Sequence, residues 1–125
     1  MAQPVVHLEI IGRDPVRLRT FYSALFGWEF DTSAPISAAV SEAGNYGFTE
    51  GTQGAPVPGG VGGGPDFEPH VMFYVGVEDI EATLAKAESL GGTRRLGPER
   101  VEGRDLVIGH FTDPEGNLIG VAGAA

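Results

Sequence analysis

The chain contains no cysteine. This excludes a disulfide, a thiolate metal site and a cysteine nucleophile, and it says nothing about the redox compartment. Basic residues are scarce: eight against seventeen acidic ones, for a net charge of -9. Such a surface repels phosphate backbones and anionic membranes within about a Debye length, so neither nucleic acid nor a membrane is an expected partner. No apolar run approaches the roughly 20 residues that a membrane-crossing helix needs. The opening Met1-Ala2-Gln3-Pro4 has neither a basic region nor a long apolar stretch, so no signal peptide is read and a cytoplasmic location is expected.

Glycine, by contrast, is abundant. The 20 glycines among 125 residues are about twice the average share and forecast tight turns or a backbone-lined cleft. A chain of this length fits one domain over 1–125 and buries roughly 65% of its unfolded surface.

A spacing occurs twice. His7 precedes Asp14 by seven residues, and Met72 precedes Asp79 by seven, with 65 residues between the copies. Each Asp opens a helix-like segment that reaches a glycine 13 residues later, Gly27 and Gly92. Two modules follow, about 4–64 and 69–123, and the positions at which they differ carry the functional question.

In the first module Val5 to Ile11 alternates as a strand, with Val6, Leu8 and Ile10 on one face and His7 and Glu9 on the other. Asp14-Pro15 reads as an N-cap followed by proline at the first helical position, and Leu18, Phe21, Tyr22, Leu25 and Phe26 recur at helical spacing until Gly27. Tyr22, Phe26 and Trp28 are assigned to the core. Trp28 to Thr32 is expected to be extended, Ile36 to Val40 a short strand or a loop, Tyr46 to Glu50 a strand, Gly51 to Pro58 a loop, and Gly59 to Gly64 a weak strand or an ordered loop. In the second module Val71, Phe73, Val75 and Val77 make the apolar face of a strand that shows His70, Met72, Tyr74 and Gly76 on the other. Asp79 caps a helix that ends at Gly91-Gly92, and three strands follow: Thr93 to Leu96, Leu106 to Thr112 and Asn117 to Val121.

Each module thus reads as strand, helix and three strands. The fold class is α+β: two βαβββ modules paired into a curved barrel-like sheet with a cleft. Side chains facing away from the helices, including His7, Glu9, Met72 and Tyr74, would line that cleft, a common setting for a small-molecule site.

The chain resembles the vicinal oxygen chelate superfamily, which includes glyoxalase I, bleomycin-resistance proteins, methylmalonyl-CoA epimerase and extradiol dioxygenases. The resemblance is carried in order by His7 with Asp14, Phe21-Tyr22 leading to Leu25-Phe26-Gly27-Trp28, Val75-Gly76-Val77-Glu78-Asp79, Leu90-Gly91-Gly92, and Phe111 to Asn117. It spans nearly the whole chain and implies paired βαβββ modules and a homodimer. In metal-dependent members it implies a divalent ion on His, Gln or Glu side chains from the first and last strands of each module. Here His7 matches the first position, but its counterpart is Met72, a poor ligand for hard ions, and the last-strand position falls on Gly120. The corresponding first-module strand, in Gly59 to Gly64, holds no carboxylate. Since catalytic sites generally use three or more protein ligands, no cofactor is expected. A divalent metal would need substitutes drawn from His7, Glu9, Glu50 and His70.

His7 and Glu9, two apart on one face, are candidates for an acid and base pair, because a carboxylate near an imidazole orients it and favours its protonated form. Tyr46, Phe48, His70, Met72 and Tyr74 are candidates for a partly apolar ligand wall. The Gly59 to Gly64 run fits neither phosphate-binding loop pattern, and its small residues suit close approach of the backbone to a ligand or to the other module. Asp113-Pro114-Glu115-Gly116 is read as a tight turn rather than a calcium loop. The expected function is a glyoxalase-like, bleomycin-resistance-like protein that binds a small molecule, with metal-free proton transfer at His7 and Glu9 as the catalytic form. The alternative is a metal-dependent lyase, isomerase or dioxygenase using His7 with noncanonical ligands.

Overall fold

A computed structural model describes residues 2–50 and 58–125. The elements in chain order are β1 (Val5–Gly12), α1 (Pro15–Phe26), β2 (Gly47–Thr49), β3 (Gly59–Gly63), β4 (His70–Gly76), α2 (Ile80–Ser89), β5 (Thr93–Arg100), β6 (Val107–Thr112) and β7 (Leu118–Gly123). They fall into two compact units, one of residues 7–71 and one of residues 1–6 with 72–125.

In the first of these units α1 starts where Asp14 accepts a hydrogen bond from the Arg17 N–H at 3.1 Å, with Pro15 inside the first turn. It stops at Gly27, which takes the left-handed conformation (φ 72°) and donates its N–H to Ser23 O. β3 lies between its neighbours, parallel to β1 with Glu9 opposite Gly60, and antiparallel to β2 with Phe48 opposite Gly60. Ile11, Val40, Tyr46 and Val61 are buried here. The far end of β3 is fastened by Ser41, whose hydroxyl accepts from the Gly63 N–H at 2.9 Å.

Two strands follow α1 among the described residues, not three. Trp28 to Thr32, expected to be extended, contributes a single bridge between Asp31 and Phe48. The Asp31 carboxylate accepts from both the N–H and the hydroxyl of Ser33, at 2.8 and 2.6 Å, and this local turn ends the pairing after one residue. Ile36 to Val40 leads into a turn closed by Val40 N–H on Ser37 O. The loop expected over Gly51 to Pro58 lies, apart from Pro58, outside the described residues.

The other unit is a strand, a helix and three strands. Within it β4 pairs in parallel with β7, and β7, β6 and β5 are antiparallel neighbours. The Asp79 carboxylate caps α2 through the Ala82 N–H at 2.9 Å. Ile80 and Leu84 then turn inward to form a core with Val77 and Val121. Gly109 on β6 lets α2 settle: a Cβ there would stand 2.8 Å from Leu84 Cδ1. β5 runs past the turn expected at Gly97-Pro98, taking it up as a shift of register against β6. Arg94 leaves β5 towards α2, pairing with Glu81 at 2.5 Å and Glu88 at 3.1 Å. That pairing holds the Glu81 carboxyl below, and the Arg94 guanidinium above, its ordinary pKa.

The two helices differ. Whereas α2 buries an apolar stripe, Pro15 is the one buried residue of α1, and Phe21, Leu25 and Phe26 are more than half exposed. Tyr22, Phe26 and Trp28, assigned to the core, instead form a surface cluster of rings with centroids 5.1 to 6.1 Å apart. Tyr22 and Trp28 are half-buried in it.

Candidate functional site

The polar face of β1 carries the chemistry-bearing group of the unit spanning residues 7–71. Alternation along the strand puts His7 and Glu9 side by side, but they meet through a third residue. The Tyr46 hydroxyl lies 2.7 Å from His7 Nε2 and donates to Glu9 Oε1 at 2.8 Å. Glu9 and Tyr46 are each 1% exposed, while His7 is half-buried at the outer end of the chain of bonds. Phe48 packs beside them, its ring centroid 5.9 Å from that of His7 and 4.7 Å from that of Tyr46.

Why Tyr46 can reach is a matter of glycine. It precedes β2, and β3 stands between it and β1. Crossing a strand roughly 4.8 Å from each neighbour requires that strand to present no side chain. A Cβ on Gly60 would lie 2.1 Å from the Tyr46 ring, and one on Gly62 would lie 2.6 Å from it. The glycine run makes room for this phenol. The segment before Tyr46 is tied to α1 by Arg19, whose guanidinium donates to Asn45 O, and partial burial lowers the Arg19 pKa from its ordinary value.

The same construction appears in the other unit with the residue types exchanged. Tyr74 on β4 reaches across β7 to His110 on β6, Oη to Nε2 2.7 Å, and passes over Gly120, where a Cβ would stand 2.4 Å from its ring. Register places Gly60 opposite Glu9 and Gly120 opposite Tyr74, so the two glycines occupy matching positions.

The ligand-wall candidates separate. Phe48 flanks His7, and the Tyr46 hydroxyl is taken up by His7 and Glu9. Met72 and Tyr74 are 3% and 4% exposed, and the Tyr74 hydroxyl is engaged with His110. His70 Nδ1 donates to Glu68 O at 3.0 Å. Its ring lines a cavity of about 610 Å³ with Ile10, Leu18, Phe21, Tyr22 and Val71. Neither His7 nor Glu9 is among the residues that line it. Glu50 is exposed.

The metal positions implied by the sequence can be tested on these donors. They hold one imidazole, His7, whose Nε2 is already bonded to Tyr46; a thioether, Met72; and glycines set under tyrosine rings. Of the substitutes, Glu9 is bonded to Tyr46, His70 is turned to a backbone carbonyl and Glu50 stands in the open. Among the described residues no three of His, Cys, Asp and Glu gather as ligands would. This donor set does not fit a divalent ion.

Two of these residues are not legible as partners in the sequence. Tyr46, a ligand-wall candidate by sequence, is the bridge; His110, whose direction the sequence leaves undetermined, is the partner of Tyr74. The available signal is a glycine-rich strand in each case, since a missing side chain announces that another one crosses.

The sequence model of one family, described as a glyoxalase-like domain, matches residues 7–122. No curated relative matches the chain. Among solved structures, methylmalonyl-CoA epimerase from Mycobacterium tuberculosis is similar at 16% identity and TM-score 0.70, over 100% of this chain and 93% of that one. A Streptomyces coelicolor methylmalonyl-CoA epimerase variant in complex with 2-nitronate-propionyl-CoA follows at 15% identity and TM-score 0.69, over 100% and 96%. A glyoxalase/bleomycin resistance protein/dioxygenase superfamily member from Vibrio splendidus 12B01 gives 18% identity and TM-score 0.61, over 98% and 99%. At these identities the likeness shows the α+β fold. No helix among the described residues is long and apolar enough to cross a membrane.

Proposed function

Given that this chain belongs to the glyoxalase-like domain family, matched over residues 7–122, we propose that it binds a partly apolar small molecule against the His7–Phe48 surface and moves a proton there through His7. The observation that carries the reading is the bonded series His7–Tyr46–Glu9, which runs from a half-buried imidazole to a carboxylate that is 1% exposed. A buried carboxylate is costly unless hydrogen-bonded, and here its partner links it to the one titratable group at the surface end. His7 is then the acid or base, Glu9 the charge behind it, and Phe48 the apolar wall. A cytoplasmic location and a homodimer belong to the same proposal; the exposed apolar residues of α1 support the second.

Thermal shift and native mass spectrometry with aromatic and polyketide-like compounds test it. A ligand at 100 times its dissociation constant stabilises by about 2.7 kcal/mol. We expect such a shift from at least one compound class, and its reduction in Phe48→Ala and His7→Ala. Indifference to the whole panel overturns the reading. Stoichiometric zinc, nickel, manganese or iron that disappears in His7→Ala replaces it with the metal-dependent alternative.

A further inference from the structure

We infer that the cavity of about 610 Å³ beside α1 is a second small-molecule site, and that it takes an amphipathic anion: an aliphatic or aromatic body carrying one carboxylate. It is separate from the surface proposed above, since His7, Glu9, Tyr46 and Phe48 are not among its lining residues.

The lining is graded in polarity with depth. Ile11 is 1% exposed, and Ile10, Leu18, Tyr22 and His70 are half-buried, so the inner wall is mostly apolar. Arg13, Asp14 and Arg17 stand exposed at the rim. The volume falls within the roughly 300–1,000 Å³ of ligand sites, which are typically apolar with a few polar groups. Such a wall favours an apolar body, while a charged head left at the rim keeps its contact with water.

The rim decides the sign of the head. Its Asp14 carboxylate is engaged, accepting the Arg17 N–H at 3.1 Å. Arg13 pairs with Glu68 at 2.6 Å, but the two side chains are 56% and 84% exposed, and a pair so open to solvent holds weakly. The Arg17 guanidinium makes no ion pair among the described residues. It is the principal anchor, because its planar fork matches a carboxylate with two parallel hydrogen bonds. In a chain of net charge -9, two guanidiniums against one carboxylate are a local exception.

The repeat supplies an internal control. The 65-residue offset between the modules carries Arg13, Arg17, Leu18 and Phe21 onto Glu78, Ala82, Thr83 and Lys86, and Pro69 onto Pro4. Those five counterparts all line a cavity of about 900 Å³ in the other unit. Each unit therefore has a hollow at the same place, by the end of its first strand and the start of its helix. In the second hollow both guanidiniums and the apolar Leu and Phe are gone, and one ammonium, Lys86, faces the carboxylates of Glu78 and Asp79. The same construction has been kept with the opposite balance of charge, which singles out the α1 cavity for an anion.

Decanoate is the probe, titrated into the full-length protein and followed by ¹H–¹⁵N NMR, with decanol and decylamine as its uncharged and cationic counterparts. Backbone amides within 10–22 and 70–71 should shift saturably with decanoate, and the alcohol and the amine should bind about tenfold more weakly or worse. Arg17→Glu should weaken decanoate by about tenfold, and Arg17→Lys by less; the side chain is exposed, so both variants should fold. No saturable shift at millimolar decanoate overturns the inference, as do equal affinities for decanoate and decanol or an Arg17→Glu protein that binds as well as wild type. Decanoate shifts confined to Tyr46 and Phe48 overturn it in favour of the His7–Phe48 surface. Shifts along α1 that follow protein concentration and not decanoate overturn it too, by making the cavity a contact between copies of the chain.

Discussion

The smallest residue in the site exerts the largest local constraint. Gly60 is not required for its backbone freedom; it is required because Tyr46 occupies the space its side chain would fill, with Cε1, Cζ and Oη all 2.1 Å from where a Cβ at position 60 would stand. Gly60→Ala therefore over-packs the site, a change that costs about 1–3 kcal/mol. Urea unfolding should show the lower midpoint, and the His7 ring resonances should move with it because the phenol is displaced. Gly27→Ala is the comparison: nothing lies within 4 Å of its Cβ, and the cost there is the left-handed φ of 72°. It should lower stability without touching His7. A Gly60→Ala protein as stable as wild type would show that the phenol does not sit where it is placed. Of this group, His7 and Glu9 share a face by the two-residue period of a strand, which is local information. Tyr46 is 37 residues from Glu9, and its role depends on β3 pairing between the two.

Among the turns and caps, Asp113 gives a pH signature. Its carboxylate accepts from the Asn117 side chain at 2.9 Å and from the N–H groups of Asn117 and Glu115. The Asn117 side-chain bond is the leading cause holding its pKa below the ordinary carboxylate value. A folded-state pKa below the unfolded one means that the turn contributes fully above roughly pH 4–5 and loses its contribution as pH falls through the lower, folded value. The gap in thermal midpoint between wild type and Asp113→Ala should be wide at neutral pH and close in strong acid. A gap of the same width at both ends would show that charge plays no part. Helix starts at Asp14 and Asp79 and the stop at Gly27 are legible because a cap needs only its own neighbours. The alternating aromatics of Trp28 to Thr32 mislead because they do not reveal that Ser33 captures Asp31 first. The length of β5 is hidden for a related reason: a strand can absorb a turn-like Gly-Pro when its partner allows a register shift.

Across the chain as an assembly, α1 is the element out of balance. Val16 at 58%, Phe21 at 56%, Leu25 at 59% and Phe26 at 54% exposure surround a 12-residue helix. Apolar side chains exposed together in this number on one helix normally have a partner. A second copy of the chain is the partner we propose. Sedimentation should report a dimer, and Phe21→Glu combined with Leu25→Glu should give a folded monomer with little change in thermal midpoint. A wild-type protein that stays monomeric at high micromolar concentration excludes the dimer.

Period, caps and the repeated seven-residue spacing were enough to read the α+β class and the starts of both helices, because each of those signals is written within about a dozen residues of chain. The family resemblance and the shortage of metal donors at His7, Met72 and Gly120 were readable for the same reason. What the folded chain decided is who meets whom across strands: that a tyrosine stands between His7 and Glu9, that a second one finds His110, and that glycine at 60 and 120 is the space both rings occupy. Strand pairing brings together residues that no local rule connects, and hydrogen-bond direction exists only once that pairing is made.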